Sequence, residues 1–138
     1  MVDRNLILRK IAELEAYAGQ IGEYSGITVE QYAADWKTQR IVERTLQMMI
    51  ELCVDVANHV IADRKLRVPK TYADTFAVLC ESGVIDTDLK ATMERMAKFR
   101  NIVVHDYDKI DHGIVVTILR QHLSSFTLFR NAILEAVK

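Results

Sequence analysis

The run Arg100-Asn101-Ile102-Val103-Val104-His105-Asp106-Tyr107 sets a permanently charged guanidinium, an imidazole and a phenol within eight residues. An arginine can hold a phosphate through two parallel donors. A histidine can both accept and donate a proton near neutral pH. Together these groups would suffice to cleave a phosphodiester of RNA without a metal. A ribose 2′-hydroxyl would attack the adjacent phosphorus. His105 would remove its proton, or protonate the departing 5′-oxygen. Arg100 would hold the non-bridging oxygens as charge builds, and Asn101 could orient the phosphate or His105. Such chemistry would leave a 2′,3′-cyclic phosphate. One histidine cannot be base and acid at once, so two subunits, each supplying one, make a dimeric site attractive.

Spacing alone leaves other readings open. On an ideal helix, positions five apart lie roughly 140° apart and share no face. Arg100 and His105 would converge if the chain broke between them, and Ile102-Val103-Val104 is the one strand-like, helix-weakening piece of the sequence. They would also converge with copies from a second subunit across a symmetry axis. In either case the three apolar residues are expected to bury and fix the segment while Arg100, His105 and Tyr107 project outward. A purely structural reading has Arg100 in a surface ion pair, Tyr107 packing, and Asp106, Asp108 or Asp111 capping the final helix. His105, Asp106, Asp108 and His112 match no established metal spacing, and no metal or other cofactor is expected. His59 and His122 lie in helical patterns and read as exposed or core-edge residues.

The elements that must position these groups are helical. The chain has 138 residues, half of them hydrophobic, one proline and five glycines. That fits a single domain over 1–138 with a real core. No apolar run approaches the ~20 residues that span a bilayer. The start, Met1-Val2-Asp3-Arg4-Asn5, lacks a signal-peptide pattern, so the protein is expected in the cytoplasm. Cys53 and Cys80, far apart in helical patterns, read as buried free thiols. A net charge of −1 argues against a broad nucleic-acid-coating surface. A local basic cleft at Lys90, Arg95, Lys98 and Arg100 stays open.

Apolar periodicity predicts a first helix from about Asp3 to Tyr24 and a short one around Val29–Ala34 capped by Thr28. A long second helix is expected from Asp35 to about Asp63. Val42, Leu46, Met49, Cys53, Val56 and Val60 form one seam of it, and Ile50, Val54, Ala57 and Ile61 form another. A helix apolar on two faces is central. Its remaining face carries Arg40, Arg44, Gln47, Glu51, Asp55 and Asn58, either a solvated surface or the polar wall of a cleft. Short polar residues are poor choices inside a helix, which favours the cleft for Asp55 and Asn58. A third helix is expected over Thr71–Cys80 with Gly83 at its end, and a fourth from Asp86 to about Phe99. A fifth would start near Asp111, with Ile114, Ile118, Leu119, Leu123, Phe126, Phe129, Ile133 and Val137 inward. The expected fold is all-α, an antiparallel bundle of four to five main helices.

Three segments together resemble the HEPN superfamily, in particular the HepT-like toxins of HEPN–MNT toxin–antitoxin pairs. One is Arg100-Asn101 through His105-Asp106-Tyr107, an Arg-x4-His-x-Tyr pattern. The second is the central helix, Ile41-Val42-Glu43-Arg44 to Asp55-Val56-Ala57-Asn58-His59-Val60-Ile61. The third runs from Val68-Pro69 and Tyr72 through Phe76 and Leu79 to Gly83-Val84-Ile85. The resemblance implies a HEPN-like bundle that dimerises and brings two Arg-His motifs into one cleft. It also implies a metal-independent endoribonuclease acting as a toxin on RNA, with an MNT-type nucleotidyltransferase antitoxin as partner. Tyr107 is then the expected acceptor of AMP from ATP, a modification whose bulk and negative charge would repel an RNA phosphate. Glu51 and Asp55 match acidic positions of the family's central helix and would support the cleft. The alternative is a non-catalytic HEPN binding or regulatory module that partners a nucleotidyltransferase. It predicts Arg100 tied up in an internal ion pair.

Overall fold

The computed structural model describes residues 3–138. Met1 and Val2, at the head of the expected 1–138 domain, lie outside the described residues. The chain folds into helices α1 (Arg4–Ile21), α2 (Val29–Ala33), α3 (Trp36–Asp63), α4 (Tyr72–Glu81), α5 (Thr87–His105), α6 (His112–Thr117) and α7 (Ser124–Ala136), with no strand among the described residues. The all-α bundle expected from the sequence is what forms.

Local chemistry sets the boundaries. Asp3, Thr28, Asp35, Thr71, Asp86 and Asp111 each accept a hydrogen bond from a free N–H in the first turn of the helix that follows. Such a cap stabilises a helix by about 1 kcal/mol. Thr28 and Gln31 form a reciprocal capping box. The hydroxyl and N–H of Thr38 hold the Asp35 carboxyl below its usual range. At the far end of α4, Gly83 takes φ +80, and the Val84 N–H reaches back to the Leu79 carbonyl at 3.0 Å. A left-handed residue is what closes a helix this way, and glycine adopts it without a Cβ penalty.

α3 is the axis of the bundle. Both of its expected seams are buried, from Val42 to Val60 and from Ile50 to Ile61. α1, α4, α5 and α7 pack around it. Phe76 of α4 meets Phe129 of α7 edge-on at 5.7 Å, a geometry that aromatic quadrupoles favour. Cys53 is fully buried and its thiol is pushed up by burial, whereas Cys80 is only half-buried. The reading of both cysteines as buried therefore holds for Cys53 alone.

Four expectations fail. The fourth helix does not end at Phe99, and Ile102-Val103-Val104 is not strand-like: α5 runs unbroken to His105. β-branched residues cost a helix only a few tenths of a kcal/mol each, and no glycine or proline interrupts the segment. Phe99 is buried and Val103 packs against the core, so tertiary contact outweighs propensity. The triplet is also not a buried anchor, since Ile102 and Val103 are half-buried and Val104 is exposed. The last helix differs as well. Between α6 and α7 the chain makes one wide turn, Ile118–His122, of π-helical geometry. Such a turn carries an extra residue, which shifts the register. Val115 and Val116 face inward and Ile114, expected in the core, is exposed.

Candidate functional site

The end of α5 brings its groups against the polar face of α3. Arg100 is half-buried, with its side chain 15% exposed. Its Nε donates to Glu51 Oε2 at 2.8 Å, and its Nη2 lies 2.6 Å from the same oxygen. Gln47 Nε2 donates to that oxygen too, at 3.3 Å. Glu51 therefore stands next to the guanidinium. Nη1 of Arg100 reaches Asn101 Oδ1 at 3.3 Å. The guanidinium carbon sits 4.6 Å from the ring centre of Tyr72, the first residue of α4. A cation over an aromatic face is held by the ring quadrupole. Helices α3 and α4 thus grip Arg100 from two sides and fix its plane.

His105 is the last residue of α5, exposed, and makes no side-chain hydrogen bond with the described residues. The chain closes the helix with the Asp106 N–H on the Ile102 carbonyl at 2.8 Å. It then makes a tight 3₁₀ turn over Tyr107–Lys109. Tyr107 is 68% exposed. It borders a hollow of about 380 Å³ shared with Arg40, Glu43, Arg44, Gln47 and Val103.

Because α5 is unbroken, Arg100 and His105 stay roughly 140° apart around it and about 7.5 Å apart along it. Convergence through a chain break, one of the two expected routes, does not occur. The ion pair of Arg100 is the one that the binding-module alternative predicts. Asp55 lies one turn beyond Glu51 and pairs with Lys10 of α1 at 2.6 Å, and less closely with His59 at 3.8 Å. Asp55 and Glu51 line one shallow hollow with Glu13, Tyr17, Met48 and Leu52, while Asn58 is exposed outside it. The suspected basic cleft divides. Lys90 pairs with Glu94, Arg100 turns to α3, and Arg95 and Lys98 border an apolar groove against α6. Asp111 caps α6, as the structural reading had it. No cluster of three His, Cys, Asp or Glu side chains that could hold a metal is found among the described residues.

Sequence reasoning missed the role of Tyr72 and the meeting of Tyr107 with Arg40 and Arg44. The second was within reach: Arg40, Arg44, Gln47 and Glu51 step by four, three and four along one helix face.

Comparison with known proteins places this geometry. The family model described as HepT-like ribonuclease matches residues 14–133. The mRNA nuclease HepT of Shewanella oneidensis is 32% identical over 129 residues, covering 94% of this chain and 96% of that protein. The tRNA nuclease HepT of Aphanizomenon flos-aquae is 24% identical over 126 residues, covering 90% and 84%. A solved structure of the tri-AMPylated Shewanella oneidensis HEPN toxin in complex with MNT antitoxin superposes with a TM-score of 0.87 at 31% identity, covering 98% of this chain and 99% of that one.

Proposed function

The chain belongs to the HepT-like ribonuclease family, and on that premise we propose that it is the toxin of a toxin–antitoxin pair, a metal-independent endoribonuclease. The observation that carries this reading is the grouping of Arg100, His105 and Tyr107 at one end of α5. Arg100 is held in place there, while His105 and Tyr107 stand open to solvent.

The ribose 2′-hydroxyl attacks the adjacent phosphorus while His105 of one subunit takes its proton. The bond from phosphorus to the 5′-oxygen breaks, and a protonated His105 of a second subunit supplies the proton to that oxygen. A 2′,3′-cyclic phosphate and a 5′-hydroxyl result. Arg100 meets the charge growing on the non-bridging oxygens. Glu51 takes only part of its donor set, since Nε and Nη2 share one carboxylate oxygen. The divergence of Arg100 from His105 on one helix, with a single histidine unable to be base and acid at once, favours a site shared with a second copy. Asn101 and Glu51 orient the guanidinium, and Asp55 keeps the adjoining α3 face polar. The partner is an MNT-type nucleotidyltransferase antitoxin. In its reaction the Tyr107 phenol oxygen, having lost its proton, attacks the α-phosphorus of ATP and pyrophosphate leaves. The attached AMP then blocks the approach of RNA. The setting is the cytoplasm; no helix among the described residues is long and apolar enough to cross a membrane.

A second reading, a non-catalytic module that binds a nucleotidyltransferase, is favoured by the Arg100–Glu51 ion pair. The two part on one experiment: induced expression of wild type, Arg100→Ala and His105→Ala at matched soluble levels, with growth and RNA ends followed together. The ribonuclease reading expects growth arrest and new 2′,3′-cyclic ends from wild type alone. The binding module expects no new ends from any of the three.

A further inference from the structure

The polar face of α3 continues past Glu51 and the Gln47 that donates to it toward the helix start, where Arg40 and Arg44 have no evident structural task. At 100° per residue, Trp36, Arg40, Arg44, Gln47 and Glu51 fall within a stripe about 80° wide. The stripe is about 22 Å long at 1.5 Å per residue, and it ends where Glu51 meets Arg100.

Arg67, Arg100 and Arg130 each meet a carboxylate. Arg40 and Arg44 are both exposed and make no hydrogen bond or ion pair with the described residues. They are like charges one turn apart, an arrangement that mildly disfavours a helix. Glu43, the carboxylate nearest in the hollow, has its Oε2 taken by the hydroxyl of the buried Tyr32 at 3.2 Å. Trp36, at the start of the stripe, is 63% exposed and is the only tryptophan of the chain. Lys37 lies 5.8 Å from its ring centre. Tyr107 borders the same hollow as Arg40 and Arg44.

Uncommitted cations interleaved with open aromatic rings are what single-stranded nucleic acid binds: the cations follow phosphates and the rings stack bases. We propose that the α3 stripe from Trp36 through Arg40 and Arg44 is the track along which single-stranded RNA reaches Arg100. Arg40 and Arg44 each hold a backbone phosphate, and Trp36 stacks a base at the far end of the stripe from Arg100. The proposal rests on the ribonuclease reading and adds a subsite beside the scissile phosphate. The small net charge of −1 is compatible with it, because two paired phosphates need a local stripe and not a basic coat.

The test measures binding of a fluorescent single-stranded RNA to the His105→Ala protein, which leaves the RNA uncut, over a range of salt. Adding Arg40→Ala and Arg44→Ala together should raise Kd about tenfold. It should also lower the slope of log affinity against log salt by about 1.4, at roughly 0.7 per lost phosphate contact. Adding Trp36→Ala should raise Kd by about fivefold with the slope unchanged, since stacking is sequence-tolerant and carries no charge. Arg40→Lys with Arg44→Lys should keep the slope. In the cleaving protein the paired alanine variant should raise KM and leave kcat close to wild type.

The track is overturned if the paired alanine variant, melting like its parent, binds with unchanged Kd and slope. It is equally overturned if that variant loses only the antitoxin, which would make the stripe a protein interface. Cleavage by wild type alongside either result leaves the ribonuclease reading standing. Failure of the His105→Ala parent to bind RNA, together with no cleavage by wild type, overturns both.

Discussion

Two arginines in this molecule are both ion-paired, yet their surroundings differ in kind. Arg67, beyond the end of α3, gives four hydrogen bonds of 2.7–2.9 Å to the four carboxylate oxygens of Asp74 and Glu81. That fork-to-fork geometry occupies four of the five guanidinium donors and ties the α3–α4 connection to both ends of α4. Arg100 has one carboxylate. Two of its nitrogens crowd a single oxygen of Glu51, and a third reaches the neighbouring Asn101 at 3.3 Å. The Tyr72 ring holds its plane from the other side. One arginine closes a loop and the other is positioned with capacity left over. An ion pair therefore does not by itself mark an arginine as structural; Arg100 keeps more of its donors unspent than Arg67 does.

The contrast is broken most directly by exchanging arginine for lysine at each place. Lysine keeps the charge and loses the planar fork. Arg100→Lys should cut RNA cleavage about a hundredfold or more, the scale of losing an oriented donor to the reacting phosphate, with the melting temperature nearly unchanged. Arg67→Lys should do the reverse, lowering the melting temperature slightly and leaving the cleavage rate as it was. Equal cleavage by the two variants would remove the distinction.

A finer probe is Glu51→Gln. If Glu51 orients Arg100, the neutral amide loosens the guanidinium, and cleavage should fall about tenfold, a loss of ~1.4 kcal/mol in transition-state stabilisation. Faster cleavage would mean instead that Glu51 withholds Arg100 from substrate. The smallest effect should appear with acid. Hydrogen bonds from Arg67 hold Asp74 and Glu81 below their ordinary values of 3.8 and 4.5, more strongly for Asp74. A depressed carboxyl contributes stability that is complete above its unfolded value and is lost as pH falls through its folded one. Melting temperature should thus be flat in pH down to about 5 and decline below 4.5. Arg67→Lys should flatten that decline, and Arg100→Lys should leave it in place.

Much of this was written in the sequence. Six side-chain caps and two buried seams follow from local rules, because capping and periodicity act within a few residues. The Arg100–His105–Tyr107 group and the acidic Glu51 were legible as residue types at family spacing. The continuity of α5 was not, since Ile102-Val103-Val104 is locally ambivalent and is decided by Phe99 and Val103 packing on the core. The wide turn at Ile118–His122 escaped for a similar reason: one extra residue moves Ile114 out and Val115 in, and no local residue announces it. The Tyr72 ring over Arg100 needs α4 to be docked before it exists.

The unbroken α5 also turns gene dosage into a variable of the chemistry. Two groups about 140° apart on one rod do not share a face, and the proposed reaction, with one histidine as base and another as acid, takes a pair of chains. While pairs are scarce, their number grows with the square of expression. A twofold excess of toxin over antitoxin then has a disproportionate effect, and a faint leak of transcription has almost none. The threshold between quiet and arrested cells would be set by how tightly two copies associate, and only secondarily by how fast either one cuts.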